Sequence, residues 1–166
     1  MPTKIILDCD PGHDDAVALL LAWGNPDIEL VGVTTVAGNQ TIDKVTRNAL
    51  AIAQVAGITG VPFARGAHRP LVREVEVAEG IHGESGLDGP VLPEPTIELD
   101  PRHAVDFIID TVMAAEPGEI HLVLSDVVLP RRSGPALVQE LRSLRPGLSV
   151  VLMSGFADDG QLRQTL

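Results

Sequence analysis

Short apolar runs bounded by turn residues recur along this chain, and segments with helical spacing lie between them. Ile5-Ile6-Leu7 is the first such run, followed by the helical pattern from Ala16 to Trp23. Read by length and period, the pattern predicts strands near 4–9, 29–35, 62–64, 119–124 and 149–153. It predicts helices near 14–23, 41–56, 102–115 and 135–144. Strands alternating with helices imply an α/β fold: a Rossmann-like, mostly parallel sheet with helices on both faces, in a single domain. The stretch from Arg65 to Pro101 breaks the rhythm, being rich in Gly, Pro and Glu and without clear periodicity. A loop of that length in a compact domain is usually functional.

The densest polar feature lies at the first strand-to-helix junction. Asp8, Asp10, Asp14 and Asp15 crowd around the turn Pro11-Gly12. They converge at the carboxyl end of a strand, where open α/β sheets bind ligands. Like charges held close repel, so such a cluster calls for a cation or a shared proton. Its donors are oxygens, which suits a hard ion such as Ca²⁺ or Mg²⁺ rather than zinc. A simpler reading makes Asp14 or Asp15 a helix N-cap, but capping uses one carboxylate and leaves three unexplained.

Composition narrows the picture. The chain has 166 residues, enough for one sizeable core, and 45% of them are hydrophobic. A formal charge of −11 speaks against nucleic acid or an anionic membrane as partner. No apolar run approaches a membrane span, and Met1-Pro2-Thr3-Lys4 leads straight into the first strand, so a cytoplasmic location is expected. The composition leaves a homo-oligomer open. Cys9 is the single cysteine and reads as a small buried residue at a strand end.

The pattern Asp8-x-Asp10-x-Gly12-x-Asp14-Asp15 resembles the signature of the nucleoside hydrolases, the inosine–uridine-preferring N-ribohydrolase family. Val31 to Asn39 resembles that family's second strand and its ribose-binding asparagine. Ala64 to Leu71 and Ile81 to Gly89 resemble its next strand and active-site loop. The resemblance covers about Lys4 to Val123.

It implies Ca²⁺-dependent hydrolysis of the N-glycosidic bond of ribonucleosides. Asp10 would then bind the ion and act as general base on its water, with Asp15 as a second ligand and Asp8 supporting them from behind. Asp14 and Asn39 would hold the ribose, and His82 would border the leaving base. Taken alone, Asn39 after Gly38 reads as a turn asparagine tolerating positive φ, His82 reads as either a loop or a functional histidine, and His13 is expected to face solvent.

Beyond Val123 the pattern changes. Leu124 to Pro130 and Leu148 to Ala157 resemble the middle of a response-regulator receiver domain, with Asp126 matching its phosphoacceptor and Ser154 its switch hydroxyl. Both lysines, Lys4 and Lys44, precede Asp126, so the lysine a receiver needs after its last strand has no counterpart. The expected organisation is a hydrolase-like part over 1–123, completed in the same sheet by a receiver-like β-α-β unit over 124–166. The hydrolase resemblance implies that Met153 would take a ribose-facing place under either reading. The alternatives to an enzyme are a receiver-like signalling fragment phosphorylated on Asp126 and a folded chimera without activity.

Overall fold

A computed structural model of the chain describes residues 2–69, 75, 77–89, 91–116, 118–126, 143 and 149–153. Five strands form one sheet: β1 (Thr3–Cys9), β2 (Ile28–Thr35), β3 (Phe63–Arg65), β4 (Leu122–Asp126) and β5 (Ser149–Met153). All neighbours are parallel, in the order β3-β2-β1-β4-β5. The helices are α1 (His13–Gly24), α2 (Ile42–Ala56), α3 (Glu79–His82) and α4 (Ala104–Ala114). The expected α/β class and five strands are present. The helix expected near 135–144 lies outside the described residues, as does Ser154.

The middle of the sheet is buried on both faces. Ile5, Leu7 and Cys9 on β1 join Leu19 of α1 and Ala49, Ile52 and Ala53 of α2 in the main core. Alternate side chains of one strand share a face, so α1 and α2 cover one side of the sheet. On the other side, Phe107 of α4 packs over Gly32 of β2. A Cβ there would stand 2.5 Å from the ring, which is why that strand position carries no side chain. Helix α2 buries Val45, Ala49, Ile52 and Ala53, one stripe of a 3.6-residue period. It ends where Gly57 takes φ +69 and its N–H reaches the Ala53 carbonyl.

From β1 the chain runs outward through β2 to β3, then returns to the other side of β1 for β4 and β5. The direction of winding reverses between β1 and β4. In open parallel sheets the crevice at the carboxyl ends beside that reversal is the ligand site.

The stretch expected as a long featureless loop has structure. Asp100 N–H donates to Phe63 O at 2.7 Å, and Arg102 bonds Asp100 while lying 4.9 Å over the Phe107 ring. Helix α3 is four residues long, beyond the reach of periodicity. It is anchored because the N–H of Ala78, its preceding residue, donates to Asn39 O at 2.9 Å.

Candidate active site at the carboxyl ends of β1 and β2

The acidic turn is built by the end of β1. Asp10 and Asp15 are buried, at 6% and 7% exposure. The Asp10 N–H donates to Asp15 Oδ2 at 2.9 Å, so the second carboxylate is folded back over the strand end. This decides the capping question: the N-cap of α1 is Gly12, and no side chain caps the helix. Both Asp14 and Asp15 lie in the first turn, where the helix dipole favours negative charge.

Asn39 closes the pair from β2. Its N–H donates to Asp10 Oδ2 at 2.6 Å and its side-chain amide donates to Asp10 O at 3.1 Å. Gly38 makes this approach feasible, because a Cβ on it would collide with Asp10 Oδ2. No described non-glycine residue takes positive φ, so Asn39 lies in the bend after β2 without a left-handed backbone. Its place is set by bonding to Asp10. Asp8 is partly buried and accepts the Thr34 hydroxyl at 2.6 Å.

Cys9 reports on the local field. Its thiol is pushed well above its ordinary value, first by complete burial and then by the charges of Asp15, Asp8 and Asp10. Carboxylates buried this closely favour a cation among them.

The third wall is the loop after α3. His82 is buried, and its Nε2 lies 4.0 Å from Asp14 Oδ1. Asn48 of α2 ties the loop to the turn, donating to Pro11 O at 3.3 Å and to Ser85 O at 3.0 Å. The loop is also pinned by Gln40, which donates to Glu84 O at 3.0 Å, and by Lys44, which donates to the same carbonyl. Asp88 clamps it from within, accepting from the N–H groups of Glu84 and Ser85 and the Ser85 hydroxyl. These bonds hold the Asp88 carboxyl below the usual range, the Ser85 hydroxyl most of all.

His13 faces solvent as expected and also makes a contact that the expectation did not include. It is exposed, yet its ring stacks on His82 with centroids 5.4 Å apart. Sequence reasoning had no signal for this contact, because 69 positions separate the partners.

Asp126 and Met153 are paired at the carboxyl ends of β4 and β5. Backbone topology therefore brings them to the same sheet edge as Asp8 and Asp10, across the winding reversal.

Two buried carboxylates are oxygen donors of the kind a hard ion takes. Among the described residues, no three His, Cys, Asp or Glu side chains gather as a closed metal cage. Asp10 and Asp15 are thus an open pair. Among the described residues no helix is long and apolar enough to cross a membrane.

Comparison with known proteins matches this geometry to one family. The model of the inosine-uridine preferring nucleoside hydrolases matches residues 5–158. The chain is 52% identical over 165 residues to an inosine-uridine preferring nucleoside hydrolase from Crithidia fasciculata, covering 96% of this chain and 50% of that protein. It is 47% identical to the pyrimidine-specific ribonucleoside hydrolase RihB of Escherichia coli, covering 92% of this chain and 47% of the relative. Among solved structures, it is similar to a purine-preferring ribonucleoside hydrolase from Gardnerella vaginalis. That likeness has a TM-score of 0.77 and 30% identity, over 93% of this chain and 49% of the other. The chain spans about half the length of the curated relatives it matches. The family match runs through the stretch from 124 to 158 that resembles a receiver, so one family accounts for both parts of the chain and no receiver unit is needed.

Proposed function

The chain belongs to the inosine-uridine preferring nucleoside hydrolase family, and from that premise we propose that its acidic turn carries the cation- and ribose-binding side of a ribonucleoside N-glycosidase site. The observation that carries this reading is the buried Asp10–Asp15 pair, locked to Asn39 at the carboxyl end of a parallel sheet. Asp10 and Asp15 would hold Ca²⁺, with Asp8 and its Thr34 bond setting the charge behind them. When bound, such an ion lowers the pKa of water to the point where a carboxylate can deprotonate it.

The chain's own groups supply the rest. Asp10 takes the proton of the attacking water as the N-glycosidic bond breaks at an oxocarbenium-like ribose. Asp14, exposed at the mouth, and the Asn39 side chain hold ribose hydroxyls. His82, with Nε2 4.0 Å from Asp14 Oδ1, would border the leaving base. Met153 and Asp126 line the far edge of the crevice through their backbone positions. The substrate class is ribonucleosides, and a cytoplasmic enzyme of nucleoside salvage fits it.

Calorimetric titration with Ca²⁺ tests the metal half of the proposal. Binding should be present in the parent chain and absent in Asp10→Asn combined with Asp15→Asn. Unchanged binding in that double variant would remove the acidic turn from the site.

A further inference from the structure

The ring of His82 rests on a seat that the roles above leave unused. Gly12 and His13 open helix α1, and the start of any helix leaves its first N–H groups without partners inside the helix. Here the His13 N–H donates to His82 Nδ1 at 3.3 Å. Gly12 lies beneath the ring: a Cβ there would stand 2.7 Å from Cε1 and Nδ1. Its φ of −96 is open to any residue, so the glycine is needed for the ring rather than for the backbone. The His13 imidazole lies over His82 at an interplanar angle of 27°, with the two Nδ1 atoms 3.2 Å apart. Its Nε2 meets Asp88 O, at the far end of the loop, at 3.0 Å.

A backbone N–H can only donate, so His82 Nδ1 carries a lone pair and its neutral ring keeps its proton on Nε2. A carbonyl oxygen only accepts, so the contact with Asp88 O places the single N–H of the neutral His13 ring on Nε2. His82 Nδ1 remains the acceptor of the backbone bond. The protonated Nε2 of His82 then faces the Asp14 carboxylate, 4.0 Å away.

We propose that His13 is a positioning residue for His82: its main chain fixes the Nε2–H tautomer, and its ring, tethered to Asp88 O, holds the loop that carries His82 against the acidic turn. The catalytic meaning rests on the ribonucleoside-hydrolase reading, where this N–H is presented on the leaving-base side. The tautomer and the tether are properties of the chain itself.

Long-range ¹H–¹⁵N spectra of the labelled chain, recorded well above the imidazole value of about 6.5, read the tautomer directly. In the parent chain, His82 should show an unprotonated Nδ1 and a protonated Nε2. His13→Ala keeps the N–H and loses the ring; it should retain the tautomer while amide exchange over residues 83–89 accelerates. His13→Pro removes the N–H at a first helical position, where proline is tolerated, and the extended Gly12 accommodates it. That variant should lose the tautomer preference and show a mixture. Gly12→Ala, which crowds the ring without touching either donor, should give the same loss and serves if His13→Pro does not fold. A protonated Nδ1 in the parent overturns the proposal, and so does a single Nε2–H form surviving in both Gly12→Ala and a folded His13→Pro. Absence of Ca²⁺ binding at the acidic turn alone would strike the functional reading and leave the tautomer result standing.

Discussion

Single atoms set the chemistry of the acidic turn, and two substitutions test it without removing a carboxylate. Gly38→Ala would drive a methyl group into Asp10 Oδ2, so Ca²⁺ affinity should fall although every acid is retained; unchanged calorimetric affinity would refute that reading of Gly38. Thr34→Val takes away one hydroxyl donor of the partly buried Asp8 carboxylate. The expected loss is about 1–3 kcal/mol in denaturant unfolding. Cys9 offers a third probe: burial and three nearby carboxylates keep it a thiol, so it should resist alkylation in the native chain and react on unfolding. At this scale the Asp10–Asp15 contact was legible because it is local, a strand end and the next turn, whereas Asp8 bonds Thr34 and Asp14 lies beside His82. The Asn39 and His82 roles rested on family resemblance. The His13–His82 contact was illegible, since it depends on two loops that only the fold brings together.

Elements read well where one period is sustained. Helix α2 shows its buried stripe and its glycine stop in sequence, and β1 and β2 stand out as apolar runs. Helix α3 did not stand out, because tertiary bonds hold its few residues rather than an apolar stripe. The connection from β3 to α4 is similar. It is held by the bridge of Ala64 to Asp100 and by the pair of Asp100 with Arg102. Arg102 bonds depress the Asp100 carboxyl from 3.8 to about 2. A depressed carboxyl contributes stability that is present above the unfolded value of 3.8 and lost as pH falls through about 2. Arg102→Ala should therefore move the Asp100 titration midpoint, followed by carboxyl NMR, up toward 3.8. A midpoint still near 2 would assign the shift to another cause.

For the whole molecule, the decisive feature is continuity of one parallel sheet. Strand β4 pairs β1 from Ile5/Leu122 to Leu7/Leu124, and β5 continues from β4 in unbroken register. Thermal unfolding should accordingly give one cooperative transition; two separated transitions would contradict a shared sheet. Sequence pattern gave this architecture in outline, yet it suggested a second family after Val123 because a β-α-β unit of either parentage satisfies the same alternation.

Turnover is a stricter test of the molecule than folding. Asp10, Asp14 and Asn39 lie on the acidic side of the crevice, while the curated relatives are about twice as long as the part this chain matches. Catalysis needs the ribose held on all sides in near-attack geometry, and a misplacement of about 1 Å costs on the order of 100-fold. Calcium affinity depends likewise on ligand number and rigidity, and here two buried carboxylates form an open pair. The 166-residue chain should thus hydrolyse inosine and uridine far more slowly than its Crithidia relative. Assays of both proteins at saturating Ca²⁺, with Asp10→Asn as the blank, decide the matter. Turnover matching the relative and abolished by that substitution would mean that this half of the family fold, alone or as a self-assembled oligomer, builds a whole site.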